Sequence, residues 1–246
     1  MELQTIEVKK QDKVCFLKFN RPQANNTIND ILVEECYRII EMYENEISIL
    51  VLEGADEVFC FGADFKDKKQ KNQPEKLYRL WTKLATGSFI TIAHVRGKAN
   101  AGGLGFVAAS DIVIADTTAT FSLSEMLFGL FPAMVLPFLI RRMGYRQANF
   151  LTLTTKTISV KQACDWGLVD EYQEKSHLLL MKYISRLKKI PKSGIINYKH
   201  YINEINTTII DSESDAIRAN KKIFADESNK ERIRRFVEDG IYPWEE

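Results

Sequence analysis

The chain has 246 residues, of which 45% are hydrophobic and 27% charged, and its formal net charge is +1. That balance can fill a sizeable core, and it gives no electrostatic reason to expect nucleic acid or a membrane as the main partner. No apolar run approaches the roughly 20 residues needed to cross a bilayer, and the opening Met1-Glu2-Leu3-Gln4 has no signal-peptide pattern. The four cysteines (Cys15, Cys36, Cys60, Cys164) show no CxxC spacing and read as reduced thiols of a cytoplasmic protein. His94, His177 and His200 lie far apart and near no cysteine cluster, so no metal site is expected.

Residues 5–10 and 14–19 are short alternating runs split by Gln11-Asp12-Lys13, the pattern of a hairpin. Beyond Arg21-Pro22 the period changes. Ile28, Leu32, Cys36, Ile39 and Tyr43 recur at helical spacing, behind Thr27 or Asn29 as a cap. Residues 47–52 read as a strand buried on both faces. Phe59-Cys60-Phe61-Gly62-Ala63-Asp64 reads as a loop and is followed by Lys66, Lys68, Lys69 and Lys71. An amphipathic helix is expected at 74–84 and a strand at 89–95. A glycine-rich turn at 99–103 leads into a small-residue helix at 104–110. Another buried strand follows at 111–115 and another helix at 132–143. Strand and helix thus alternate to about residue 170 in units of similar length, without a visible sequence repeat. Past Gly167-Leu168-Val169-Asp170 strand signals stop, and helical segments are expected near 177–187, 202–210, 215–224 and 230–237. The last two carry charge on one face and apolar residues on the other, which suits a cover or a subunit contact.

Two segments carry the chemistry. In Phe61-Gly62-Ala63-Asp64 the glycine allows a tight turn, and the small Ala63 lets a ligand approach its N–H. In Asn100-Ala101-Gly102-Gly103-Leu104-Gly105 small residues open a helix, where the first N–H groups lack intrahelical partners. One N–H from each segment, converging, would hold a developing oxyanion. Each segment alone is equally compatible with an ordinary strand-to-helix turn.

In this order, the two segments resemble those of the crotonase (enoyl-CoA hydratase/isomerase) superfamily. The resemblance extends to Asn20-Arg21-Pro22, Asp111-Ile112-Val113-Ile114-Ala115, Gly167-Leu168-Val169-Asp170 and the tail at 224–238. It implies an α/β fold, a spiral of ββα units over residues 1–185, with a C-terminal helical trimerisation region at 186–246. It also implies that Ala63 and Gly102 donate to a thioester carbonyl and that a carboxylate works beside them. Hydratases of the family use two glutamates. The first would fall at Gly105, and the second matches Glu125 in Phe121-Ser122-Leu123-Ser124-Glu125, so one carboxylate is kept. A single carboxylate could accept the α-proton and return it to a departing β-hydroxyl on the same face.

Asp64, Gly103, Lys98 and Asn100 flank the two segments as candidate substrate contacts, Asp64 also reading as a helix cap. Tyr78, Trp81 and Lys83 are candidate wall residues. Cys60 and His94 read as packing residues. A lysine of the family that meets the nucleotide of CoA is replaced by Asp239.

At finer level the chain resembles the dehydrating members of β-branching cassettes in bacterial polyketide biosynthesis. The matching stretches include Ala24-Asn25-Asn26-Thr27-Ile28-Asn29-Asp30, His94-Val95-Arg96-Gly97-Lys98 and Pro243-Trp244-Glu245. The implied reaction converts a 3-hydroxy-3-methylglutaryl group on an acyl carrier protein to 3-methylglutaconyl. No cofactor is implied beyond the carrier's phosphopantetheine, or CoA in its place. The implied partners are the carrier protein, a decarboxylase of the same fold, and further copies of the chain in a trimer or hexamer. Decarboxylation of the glutaconyl thioester, a CoA-dependent hydration and a non-catalytic scaffold are the competing readings.

Overall fold

The computed structural model describes residues 3–67 and 73–245. Its framework is a six-stranded sheet built from β1 (Ile6–Gln11), β2 (Val14–Phe19), β3 (Ile49–Glu53), β5 (Ile90–Val95), β7 (Ile112–Ala115) and β10 (Glu171–Tyr172), in the order β1-β2-β3-β5-β7-β10. The hairpin β1–β2 is antiparallel, and every later pairing is parallel. Alternation along the central strands assigns their side chains to two cores. Leu50 and Leu52 of β3 join one cluster of buried residues, while Ile49 and Val51 join the other. A strand apolar at every position is what burial on both faces requires.

The helices follow from that demand. On one face, α1 (Asp30–Tyr43), α2 (Pro74–Thr86) and α3 (Gly103–Ala109) cover the larger cluster. Asn29 caps α1 by accepting the N–H of Leu32 at 3.0 Å, the role that a short polar side chain fills at a helix start. On the other face α7 (Ser176–Leu187) lays Leu179, Leu180 and Ile184 against Val14, Ile49, Val51, Ile92 and Ile114. His94 points to that side, where its ring nitrogens meet Glu53 at 2.8 Å and Ser176 at 2.9 Å, so it ties strands to helix.

A second sheet, β4-β6-β8-β9, stacks the short strands β4 (Val58–Cys60), β6 (Lys98–Asn100), β8 (Thr120–Ser122) and β9 (Ile158–Ser159). Each of the first three follows directly after a strand of the large sheet. The chain therefore winds as a spiral in which every turn contributes one strand to each sheet and then a helix. The expected loop at 59–64 begins inside β4, and β6, β8 and β9 were not anticipated. With two or three residues each, they show no alternation that a sequence pattern could reveal.

The remaining helices are α4 (Leu136–Met143), α5 (Tyr145–Thr154), α6 (Val160–Asp165), α8 (Lys192–Ile205), α9 (Thr208–Asp211), α10 (Glu213–Ala225) and α11 (Glu227–Asp239). The segment expected as a helix at 202–210 is instead the end of α8 followed by the short α9. The amphipathic C-terminal helices fold back on their own chain. Phe224 of α10 meets Phe65, Lys221 pairs with Glu75 of α2, and Phe236 of α11 packs edge-on against Phe128 with ring centroids 5.1 Å apart. Among the described residues no helix is long and apolar enough to cross a membrane.

Lys192, at the start of α8, fixes that helix to the sheet. Its ammonium donates to the carbonyls of Glu44, Ile47 and Ser88, which close α1 and precede β3 and β5. Lys192→Met keeps the stem but leaves these carbonyls without their donor. An unmet buried acceptor costs about 1–3 kcal/mol; Ile47 is buried while half-buried Glu44 and Ser88 can regain water, so the variant should lose roughly 2–4 kcal/mol in urea unfolding followed by circular dichroism.

Candidate active site

The two glycine-bearing segments meet. Gly62 sits at φ +89°, and a Cβ built on it would lie 2.8 Å from Ala101 Cβ and 3.3 Å from the Gly102 nitrogen. From the other side, a Cβ on Gly102 would lie 3.7 Å from Gly62 Cα and 4.0 Å from the Ala63 nitrogen. At Gly62 only a hydrogen allows this approach, whereas at Gly102 these are ordinary contact distances and the tight neighbour of a Cβ would be Ile28 Cδ1 at 3.1 Å. Ala101 supplies the bend at φ +49°, a left-handed conformation unusual outside glycine, asparagine and aspartate, and one held where the surroundings over-determine it.

The pairing pattern shows where the Ala63 N–H points. Ile28 donates to Gly62 O at 2.7 Å and accepts from the Asp64 N–H at 3.0 Å, forming a parallel bridge centred on Ala63. Both partner bonds use the neighbours of Ala63, so its own N–H faces away from Ile28. Among the described residues, neither Ala63 nor Gly102 donates to another backbone group. Two free N–H groups on abutting turns can donate to one oxygen between them, and such donors act on charge that develops during reaction.

Arg21 holds the first turn. Its guanidinium pairs with the Asp64 carboxylate at 2.7 Å and donates to Thr27 O, and Asp64 in turn accepts the N–H groups of Lys66 and Asp67 at 3.1 and 3.2 Å. Burial works against the charge on Asp64, but the Arg21 contact and the Lys66 N–H hold its pKa below the usual carboxylate range. Asp64, expected as a substrate contact, thus has its oxygens engaged in shaping the turn. The Arg21–Asp64 link escaped the sequence, although both residues stand in recognisable motifs, because nothing in a linear pattern pairs positions 43 apart.

Asn100 is likewise committed inside the protein. Its amide accepts from Ser122 Oγ at 2.8 Å and donates to Ser124 Oγ at 3.1 Å, while the next residue, Ala101, donates its N–H to Ser122 O at 3.0 Å. These bonds lash the strand leading into Gly102 to the segment ending at Glu125, so Asn100 positions rather than receives. Lys98, at the other end of β6, is exposed. Gly103 packs against β4, where any Cβ would come within 2.2 Å of Cys60 O. Cys60 is fully buried, which pushes its thiol up to about 12. Lys66 is exposed, whereas Lys68, Lys69 and Lys71 lie outside the described residues.

Glu125 opens a 3₁₀ turn, Glu125–Phe128, that closes on Gly129 at φ +78°. Its Oε2 is sealed from solvent and has no hydrogen-bond partner among the described residues. Burial pushes the carboxyl up to about 7, against its own backbone N–H, which pulls the other way. The parallel strands β4, β6 and β8 bring this residue to the same end of the short sheet as the two free N–H groups, and a carboxyl poised near neutrality can take and return a proton. Gly105, the position of the absent second glutamate, is filled from outside: a Cβ there would lie 2.3–2.6 Å from the ring of Trp81.

The model of the enoyl-CoA hydratase/isomerase family matches residues 9–246. The chain belongs to this family. It is 50% identical over 252 residues, 99% of this chain and 97% of the relative, to the bacillaene synthase dehydratase PksH of Bacillus subtilis. The crystal structure of a putative polyketide biosynthesis enoyl-CoA hydratase (pksH) from the same species has a TM-score of 0.95 at 50% identity, covering 98% of this chain and 100% of that one. The mitochondrial enoyl-CoA hydratase of Pongo abelii is 28% identical over 93% of this chain and 82% of its own. The fold is therefore the crotonase type, and the chain is an enzyme of the hydro-lyase class, as the dehydratase and hydratases among its relatives are.

Restoring the second carboxylate should fail for want of space. Gly105→Glu drives a charged chain into the indole, and overpacking of this kind costs about 1–3 kcal/mol before the buried charge is counted. Thermal unfolding should show a marked loss for the single variant and partial recovery when Trp81→Ala is added. Equal melting temperatures for Gly105→Glu and the parent would contradict the packing described.

Proposed function

We propose that this enzyme dehydrates a 3-hydroxy-3-methylglutaryl group, carried as a thioester on an acyl carrier protein of polyketide biosynthesis, to the 3-methylglutaconyl form. The observation that carries the reading is one sealed, near-neutral carboxyl at the same end of the short sheet as two abutting free N–H groups, with the second carboxylate position closed by Trp81. Half-identity over nearly the whole length to a dehydratase of bacillaene synthesis supports the same class of pathway.

In this reading the thioester carbonyl oxygen lies between the N–H groups of Ala63 and Gly102. Ionised Glu125 removes the α-proton, and the resulting enolate is stabilised by those donors, each typically worth ~10²–10³ in rate. The electron pair then forms the Cα–Cβ double bond as the Cβ–O bond breaks. Glu125 returns its proton to the departing oxygen, water leaves, and the carboxylate is regenerated. Both proton transfers use one group on one face, so the elimination is syn. Lys98 and Gly103 remain candidate contacts for substrate. Asp239, exposed at the end of α11, favours a tethered carrier over free CoA because it would repel a nucleotide phosphate.

Glu125→Gln keeps the shape and loses the base. Dehydration, followed by the mass of the acyl carrier, should fall by about 10²–10⁴, with carrier binding nearly unchanged. In the parent enzyme kcat should rise with pH through about 7, because the ionised form is the active one. A near-parental rate in the variant would make Glu125 structural, and release of CO₂ from the glutaconyl carrier by the parent would make the enzyme a decarboxylase.

The same substitution has a stability signature. The folded carboxyl sits above its ordinary 4.5, so its neutral form is favoured by folding, and that contribution is lost as pH rises through about 7. Glu125→Gln should therefore melt near the parent at pH 5 and above it at pH 8. The gain at pH 8 should be on the order of 2 kcal/mol, read from thermal unfolding at the two pH values.

We also propose a trimer or a pair of trimers. With α10 and α11 folded back, the uncovered apolar surface lies on α5 and α8, at Tyr145, Phe150, Leu153, Tyr198, Tyr201 and Ile205. Sedimentation should give at least three copies at micromolar concentration, and aspartate at Leu153 and Tyr201 together should lower that number. A parental monomer would end this proposal.

A further inference from the structure

A guanidinium has five N–H donors and a charge it does not lose, so an arginine drawn into a protein normally finds acceptors there. Arg141 and Arg142, in the last turn of α4, meet that demand differently. Arg142 donates to the carbonyls of Ser110, Asp111 and Leu168 and pairs with the Asp170 carboxylate, so its donors are used within the chain. Arg141 is half-buried, yet among the described residues it has neither a hydrogen-bond acceptor nor an ion-pair partner. None of its nitrogens is sealed from solvent either.

Arg141 borders an open-mouthed cavity of about 450 Å³ where β5 and β7 begin. Ile90, Ile112, Ile190 and Ile195 give this cavity its apolar lining. Its other charged neighbours are already balanced. The Lys199 ammonium donates to Asp111 at 2.5 Å and to Ala85 O at 2.7 Å, and the second oxygen of Asp111 accepts the Thr91 N–H at 2.8 Å. Arg142 is balanced by Asp170. One positive charge remains, on Arg141. Its field reaches Lys199, and it feels Asp111, Arg142 and Tyr198 in turn; all four line the cavity, so the charge sits over it. Burial works against that charge and pushes the guanidinium below its ordinary pKa.

Gly194, in the first turn of α8, adds room. A Cβ on it would meet only Ile190 Cγ2, at 3.9 Å, so packing within the chain does not require a glycine there. Its bare backbone faces the cavity instead.

We infer that this cavity binds an organic monoanion, a carboxylate with an apolar body of several carbons, its head on Arg141 and its body on the isoleucines. The volume suits a small organic ligand and exceeds what a bare inorganic ion fills. A guanidinium fork matches a carboxylate, two N–H groups to two oxygens. A single uncompensated positive charge matches a single negative one, whereas a phosphate ester would bring about −1.5 to −2 towards Asp111. The cavity stands apart from the reaction pocket. The oxyanion turns and Glu125 follow the far ends of the parallel strands, and α3 spans the distance. Gly102 precedes that helix and Ala108, near its end, lines the cavity, about 9 Å away by helix rise. The site therefore does not depend on which thioester the enzyme dehydrates.

Calorimetric titration with octanoate, octanol and acetate separates head from body. Octanoate should bind once per chain. Octanol should bind about 10–100-fold more weakly for want of the charged contact, and acetate more weakly than octanoate for want of the body. Arg141→Gln should weaken octanoate by about 10–100-fold and still melt with the parent, because no bond within the chain is lost. Gly194→Leu keeps the charge, fills the space and should abolish binding; Arg141→Gln carries the test alone if that variant does not fold. Octanol binding as tightly as octanoate overturns the inference. So does octanoate affinity unchanged in either variant, which would place the acid elsewhere, as in the acyl space of the reaction pocket. No octanoate binding by the parent also overturns it, and a smaller assembly of Arg141→Gln in sedimentation would then assign the free charge to a contact between copies.

Discussion

Among the described residues, the backbone N–H groups of Ala63 and Gly102 have no backbone acceptor, and much of this chain is arranged so that they stay that way. Backbone donors are normally consumed by helices or ladders. Here Ala63 lies at a single bridge to Ile28 that uses only its neighbours, and Gly102 lies just before α3, where a helix has no use for the N–H. Bringing them together needs the absence of a side chain at Gly62, and it bends Ala101 into a left-handed conformation. The short sheet β4-β6-β8 supports this contact. Its strands hold the two turns side by side and deliver the segment of Glu125 to the same end.

Polar side chains then fix what the backbone brings near. Arg21 and Asp64 pin the first turn, and Asn100 spans from β6 to the serines on either side of Leu123. Within such a frame the Glu125 carboxyl itself keeps one oxygen unsatisfied. An unpaired buried carboxyl is unfavourable when ionised, and that same penalty lifts it to about 7, where it can exchange a proton. Stability given up at Glu125 and the raised proton affinity there have one origin.

Much of this was legible in the sequence, for identifiable reasons. Periodicity exposed the long elements, since a buried parallel strand such as Ile49–Glu53 and an amphipathic helix such as Asp30–Tyr43 extend over enough residues to repeat. Glycine and alanine runs pointed to Gly62-Ala63 and Gly102, because small residues are informative where backbones must approach. The two- and three-residue strands of the second sheet were invisible, as were α5 and α6. Side-chain commitments were also hidden: Asp64 and Asn100 looked available for substrate, and only the fold shows Arg21 and the two serines claiming them. Trp81 could be named as a wall residue, but its seat against Gly105 depends on how α2 crosses α3, which no local pattern encodes.

The turn that carries Glu125 is not finished by its own neighbourhood. A Cβ on Gly129, which closes it, would collide with Asn229 and Arg232 of α11, and Phe128 rests on Phe236 of the same helix. Asn229 is itself fastened to Ile223 O at 3.0 Å, so the cover is rigid. On a ribosome the oxyanion turns and Glu125 emerge well before this cover does. A nascent chain would therefore carry its acid on an unbacked turn, open to water, and reach a working proton affinity only after α11 has been made and has closed.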